Sequence, residues 1–403
     1  MTAPEPFPKK DVRQALPVYT LVFAAGVMQS ALAPLGPVYA ADLHLSHVQV
    51  GALFAAASVT MVVATLPIGV VTDRLGARRL TVAAALLVAL SALAQGLARD
   101  FWLLLGSRAL FGVAFGAVWT AGLALLVEGG GDGRRSVLGA AIPVTGASAA
   151  VGPAFAGIVA AHFGLAVPFV AIAVVSAAAA CGLMLAPAGL EAGEAERLDL
   201  RAMLRAARDN PLVLGAAAMM TAGGFSSSVA FLLVPLRLRS NGVSVGAIGT
   251  ILGAAAVVYL LGGVAAGRFG RRLVTPGAAG VAVLALGLSL VLPALSTATW
   301  VLVAFLLARS ACTAVTSTIA YPLASASAAA TGLGAGAAIG LVNAAWATST
   351  VVAPLVGGAV SQTAGDRLAF ALLVPLVLLA GAWLLRLGRL RARVPLRAAR
   401  SRR

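Results

Sequence analysis

Charge is scarce in this sequence. Only 10% of its 403 residues are Asp, Glu, Lys or Arg, where a soluble domain carries about 25%. A soluble globular chain of this length has no charged skin at that level, so that class is excluded. Cysteine is nearly absent. Cys181 and Cys312 both fall in apolar stretches, where they read as buried free thiols, and two residues make neither a disulfide framework nor a metal site. Acids number thirteen, and none falls well inside an apolar run. No carboxylate pair, His-rich motif or nucleophile constellation is therefore available for a membrane-embedded enzyme. No ATP-binding loop is present either. The three histidines, His44, His47 and His162, lie at loops or run ends and read as surface residues. No metal and no cofactor is expected.

Apolar residues are abundant: 61% of the chain is hydrophobic and the mean hydropathy is +1.00. Hydrophobic runs longer than about eighteen residues recur from end to end, the pattern of a polytopic helical membrane protein. Twelve spans are expected at 17–40, 48–71, 79–98, 101–127, 137–160, 165–186, 211–236, 245–267, 274–294, 299–320, 333–359 and 367–387. At ~1.5 Å per residue each crosses a ~30 Å hydrocarbon core. Helices are required, because lipid leaves exposed backbone groups unpaired. The N-terminal stretch shows no signal-peptide cleavage pattern, so the first span is expected to stay in place.

The net charge of +16 does not point to nucleic acid, since the basic residues lie in short connections rather than on one face. With both termini in the cytoplasm, 23 of the 29 Lys and Arg fall on the inner side and 4 on the outer side. That asymmetry sets the orientation. The connection between spans ten and eleven, YPLASASAAATG, should be cytoplasmic yet carries no positive charge. Two Lys against twenty-seven Arg, with much Ala and Gly, suggest a GC-rich bacterial genome. The expected location is the bacterial inner membrane. The domain organisation reads as a cytoplasmic N-terminus (1–16), a six-helix bundle (17–186), a polar cytoplasmic linker (187–210), a second six-helix bundle (211–387) and a basic tail (388–403). The later part of the linker has the spacing of an amphipathic surface helix, with a plain tether as the alternative. The tail is suited to anionic lipid headgroups, or serves only as a topology anchor.

The two halves repeat one another. Arg108 has Arg309 in the matching span, 201 residues on. Gly139, Ser148, Gly152–Pro153 and Ala156–Gly157 correspond at the same offset to Gly340, Ser349, Ala353–Pro354 and Gly357–Gly358. After span two, Gly69, Arg74, Gly76 and Arg78 match Gly263, Arg268, Gly270 and Arg272 at an offset of 194, while Asp73 faces Gly267. Two related six-helix halves imply a transporter with its site near the midplane.

Over nearly its full length the chain resembles the major facilitator superfamily. The family's loop signature is matched by Gly69, Asp73, Arg74, Gly76, Arg78 and Arg79, and its span-four signature by Arg108 and Gly112. The span-five signature of its drug/proton antiporters is met in part, with Ser148 and Ala156 in place of glycines. The resemblance implies an all-α fold of two pseudo-symmetric six-helix bundles, and an Asp73 that holds the cytoplasmic side shut. Arg134 or Arg135, or the start of span eleven, would supply the positive partner. An ion of either sign inside a membrane is costly and marks a functional candidate. For Arg108 the alternative is a structural role, bonding backbone carbonyls of span one or snorkelling outward; Arg309 has no signature of its own, and a structural role is its alternative too. The small-residue rows of spans five and eleven read as packing seams, kinked by Pro153 and Pro354. The family's cavity helices carry Gln29, Trp119, Thr120, Ser226 to Ser228, Tyr259, Thr313, Thr316, Asn343 and Trp346. A cavity with Arg and no acid disfavours strongly cationic substrates. The expectation is a monomeric exporter of a small amphipathic or drug-like compound by alternating access and proton antiport. Uptake or facilitated diffusion of a small neutral or anionic metabolite is the alternative, and a channel a more distant one. Besides that substrate and protons, its partners are membrane lipids.

Overall fold

The computed structural model describes residues 9–128, 134–185, 210–330 and 335–400. Every regular element among them is helical, and twelve helices are long and apolar enough to cross a membrane. They are α1 (Lys9–Asp42), α2 (His47–Leu75), α3 (Ala77–Gly96), α4 (Phe101–Ala117, a π-helical turn Val118–Gly122, then Leu123–Glu128), α5 (Arg134–Phe163) and α6 (Ala166–Leu185). The second set is α7 (Pro211–Ser240), α8 (Val245–Arg268), α9 (Pro276–Ser289 and Val291–Leu295), α10 (Thr299–Ala330), α11 (Ala335–Ala364) and α12 (Asp366–Ala371 and Leu373–Arg400).

Local chemistry sets several starts. Asp100 caps α4, its carboxylate accepting from the Leu103 N–H at 2.9 Å. Asn210 caps α7, accepting from Leu212 and Val213, and Thr275 caps α9. In α7 and α9 a proline follows at the first helical position, where its missing N–H costs nothing. Glycines with positive φ break the chain before α3 (Gly76, φ 84), α6 (Gly164, φ 92) and α12 (Gly365, φ 88).

The elements run longer than the hydrophobic pattern in places. The stretch from Tyr321, expected as a loop, is helical as far as Ala330. Its Ala-rich composition favours helix, and the uncharged stretch thus belongs to α10. Likewise α12 continues beyond residue 387 to Arg400. The expected linker lies outside the described residues apart from Asn210.

Contacts divide the chain into two compact units. One comprises Met1–Leu45, Ala52–Glu196 and Val243–Gly253; the other comprises Ser46–Gly51, Arg197–Gly242 and Ala254–Arg403. The first turn of α2 thus belongs with α7–α12, and the start of α8 with the first set. In the first unit α1 packs along α5, and α3 along α6 and α4. In the second unit α7 packs along α11, and α9 along α12 and α10. Those pairings are equivalent under the sequence repeat. Trp102 and Trp300 stand exposed at the starts of α4 and α10, the place of an interfacial aromatic anchor.

Candidate functional site

Arg108 on α4 is 1% exposed. Its Nε–H donates to the Leu53 carbonyl of α2, and Nη2 donates to Gln29 Oε1 of α1, both at 3.3 Å. Its guanidinium sits 5.2 Å from the Phe111 ring centroid. Phe111, Phe115 and Trp119 follow one another along the same helix, with centroids 5.5 and 6.2 Å apart. Nη1 has no hydrogen-bond partner among the described residues. Each described partner is neutral, so a buried cation is held by dipoles and a π face alone. The carbonyl it uses belongs to α2, not to the first span, and the side chain does not snorkel.

Gly112 explains the spacing of the span-four signature. A β-carbon there would collide with the Ala57 carbonyl oxygen and Thr60 Oγ1. Thr60 in turn donates to the Ala109 carbonyl at 2.7 Å. Leu53 and Ala57 are one turn apart on α2, as Arg108 and Gly112 are on α4. The glycine lets the backbones approach, and the arginine one turn away reaches a carbonyl across the contact.

Arg309 on α10 is 4% exposed. Its Nη1 donates to Ser227 Oγ at 2.7 Å, and Nη2 reaches Ser310 Oγ at 3.3 Å. The Phe231 ring centroid lies 5.3 Å from the guanidinium, and Nε has no partner among the described residues. Tyr259 and Cys312 are within electrostatic reach. Gln29 and Ser227 stand 198 residues apart, so the first helix of each half supplies the polar grip on its arginine. Around this centre Gly223 has Trp346 on one side and Thr313 on the other, and a methyl group at Gly223 would stand 3.6 and 3.8 Å from them. The Thr313 and Ser226 hydroxyls are buried without partners among the described residues.

The other cavity candidates separate. Thr316 is buried and donates to the Cys312 carbonyl of its own helix. Trp119 and Thr120 lie half-buried in the π-helical turn. Tyr259 is 39% exposed. Asn343 is exposed, and its Oδ1 accepts from Tyr321 Oη at 2.8 Å. Tyr321 is absent from the sequence-based candidates because it opens the stretch expected as a loop.

The loop motif is placed on helix ends. Gly69, Asp73 and Arg74 lie in the last turns of α2, Arg78 and Arg79 in the first turn of α3. Arg78 donates from Nε to the Leu183 carbonyl at 2.9 Å and from Nη2 to the Met184 carbonyl at 2.8 Å. A cation there satisfies the free carbonyls at the end of α6. Gly76 has the positive φ the reversal requires, and Gly270 (φ 50) does the same beside the 3-10 turn Gly270–Leu273 that holds Arg272. Gly263 and Arg268 close α8. The side chains of Asp73, Arg134 and Arg135 lie outside the described residues.

The seam motifs are packed as small-residue rows allow. A β-carbon at Gly26 of α1 would strike Ser148 Oγ of α5, and one at Gly224 of α7 would lie 2.6 Å from Ser349 Cβ of α11. Gly152 packs on Ser30 and Val27, and Gly357 on Val229. Further along, Pro153 and Gly157 of α5 meet Gly249 and Val245, while Pro354 and Gly358 of α11 meet Gly51 and His47. Gly139 and Gly340 lie in α5 and α11. Two readings of the composition need correction. Cys181 is exposed and Cys312 half-buried, because Cys181 turns to the outside of its helix bundle. His47 is half-buried and bonded to Ser361, whereas His44 and His162 are exposed.

The sequence matches the Major Facilitator Superfamily over residues 18–338. The chain belongs to that superfamily. It is a transporter, and the membrane-enzyme alternative ends there. The superfamily fold also appears in solved structures of a bacterial homologue of the human lysosomal transporter Spinster. The inward-facing, unoccupied form is 13% identical, covers 95% of this chain and 98% of its own, with a TM-score of 0.78. The inward-facing, occupied form is 15% identical, covers 94% and 96%, with a TM-score of 0.73. No curated protein matches the chain significantly.

Proposed function

We propose that this superfamily member exports a small amphipathic compound of neutral or anionic character by alternating access, driven by inward proton movement. The observation that carries the substrate class is the pair Arg108 and Arg309, each buried and each with neutral described partners. A cationic substrate would meet like charge in low dielectric, where repulsion is strong. Within the first unit, an apolar body suits the aromatic column beside Arg108. The partial antiporter signature at Ser148, Gly152, Pro153 and Gly157 supports export over uptake. The chain would sit in a bacterial inner membrane as a monomer, with both termini cytoplasmic by its Lys and Arg distribution.

A second reading, uptake of a small anionic metabolite, draws on the Nη1 of Arg108 and the Nε of Arg309, which no described residue accepts from. The test uses purified protein in liposomes with an internal pH dye. Gradients of amphipathic, neutral and anionic compounds are imposed on wild type and Arg108→Ala. Substrate-dependent proton counterflow, lost in the variant, is the expected result. Saturable flux without proton movement would reject antiport in favour of a facilitator.

A further inference from the structure

One titratable cluster lies apart from both arginine centres, where the first turn of α2 meets the end of α11. His47 Nδ1 is 2.7 Å from Ser361 Oγ, and the Ser361 hydroxyl donates to Asp366 Oδ1 at 2.5 Å. A hydroxyl has one hydrogen. Since Ser361 gives it to Asp366, its oxygen can only accept from His47, and Nδ1 carries the proton. Nε2 is then the site where a second proton binds. Ser361 is 5% exposed, and His47 and Asp366 are half-buried. The Val48 N–H donates to Gln362 Oε1 at 3.3 Å beside them, and Gly358 packs on the His47 carbonyl. All of these residues belong to one compact unit.

The internal repeat provides a comparison within the same molecule. The start of α8 meets the end of α5 in the equivalent way, with Gly249 on Pro153 as Gly51 is on Pro354. At the matching offsets Val245 stands for His47, Ala160 for Ser361 and Leu165 for Asp366. The packing geometry therefore does not require a polar relay. One seam carries an imidazole, a hydroxyl and a carboxylate where its counterpart has apolar residues at all three places; His162, near by on α5, is exposed and bonds to the Ile158 carbonyl of its own helix.

We propose that His47, Ser361 and Asp366 form a proton-binding site that locks the first turn of α2 onto the end of α11. Histidine is the side chain whose charge ordinarily changes between about pH 5 and 8. A proton taken from water by Nε2 makes an imidazolium, strengthens the Nδ1–H donor and sets a full positive charge two hydrogen bonds from a carboxylate. The start of α2 opposes this with a partial charge of roughly +0.5, smaller than the carboxylate's full charge. Asp366 sits in the first turn of α12, where a carboxylate is favoured. The other charged groups on the surrounding elements are Arg367 on α12, Arg237 and Arg239 at the end of α7, and Asp42 and His44 before α2. All five are exposed, and the relay's hydrogen bonds run through Ser361 to none of them. Acid therefore tightens the seam and base loosens it. Under the proposed orientation the site faces the outer side, so the lock would respond to external pH and regulate the export cycle proposed above. That last step rests on the export reading; the lock itself does not.

The test places nitroxide labels at Val48 and Thr363, both exposed, in protein with Cys181→Ser and Cys312→Ser, held in lipid nanodiscs. Distance distributions are read by pulsed EPR from pH 8 to pH 5.5 without substrate. The short-distance population should rise at least twofold with acid. His47→Gln and Asp366→Asn should flatten that response, and Ser361→Ala should weaken it. Labels across the counterpart, at Ala161 and Thr250 in protein that also carries His162→Gln, should show no change. A wild-type seam indifferent to pH overturns the proposal. So does a pH response that survives in His47→Gln, or one of equal size at the counterpart seam. Because no substrate is needed, a flat seam beside working liposome flux rejects the lock alone. A responsive seam without flux rejects the export reading alone.

Discussion

Gly112 faces the Ala57 carbonyl with no room for a side chain, and this contact sets how Arg108 meets Leu53 one turn away. Gly112→Val should therefore force α2 and α4 apart. Overpacking of this kind costs about 1–3 kcal/mol, so the melting temperature in detergent should fall and flux should fall with it. Gly106 on the same helix has open space around it. Gly106→Ala should leave stability unchanged or raise it by up to ~1 kcal/mol.

The two arginines should separate function from stability. Burying a charge that has no ion partner is costly, and an apolar side chain of similar size removes that cost. Arg108→Met and Arg309→Met should keep the melting temperature within a few degrees while liposome flux falls at least about tenfold, ~1.4 kcal/mol of transition-state loss. Unchanged flux would mark both residues as scaffolding.

Removing a partner while keeping the charge should do the opposite. Ser227→Ala leaves Arg309 Nη1 without its 2.7 Å acceptor. A buried donor deprived of its partner costs about 1–3 kcal/mol, read as a lower melting temperature. Ser227→Asn, which keeps an acceptor, should recover part of the loss.

At the loop after α2, Arg78→Ala should release the Leu183 and Met184 carbonyls. Hydrogen exchange in the last turn of α6 should quicken, with a loss of about 1–2 kcal/mol for two modest bonds. Arg79 is exposed, and Arg79→Ala should leave that exchange unaltered.

Gly76 and Gly69 should differ although both belong to the same motif. Gly76 holds φ 84 and ψ 143, a region almost closed to other residues at about 1–3 kcal/mol. Gly76→Ala should lower thermal stability, while Gly69→Ala, inside α2 with nothing near, should not.

The spans can be read from the sequence because hydropathy alone sets them. Asp100, Asn210 and Thr275 stand at helix starts as their capping chemistry dictates. Arg108 and Arg309 stand out as charges in apolar runs, and the 201-residue offset links them. Their partners are harder to see. Gln29 and Ser227 occupy equivalent places on α1 and α7, but a glutamine and a serine share no pattern. His47 and Ser361 are 314 residues apart, and no local periodicity joins the ends of two helices. Tyr321 is hidden because an Ala- and Ser-rich stretch after a long span looks like a loop, although alanine favours helix.

The fourth helix of the chain is interrupted at Val118–Gly122 by a π-helical turn. Its counterpart α10 is regular there, yet carries Pro322, 201 residues after Ala121. A π-turn accommodates an extra residue and leaves its neighbourhood short of regular bonds. A proline removes one bond by lacking an N–H. Two unrelated defects therefore soften two equivalent helices at one level. What the halves share at this point is a loosened stretch of backbone hydrogen bonding rather than a residue, reached by a wider turn in one and by a missing donor in the other.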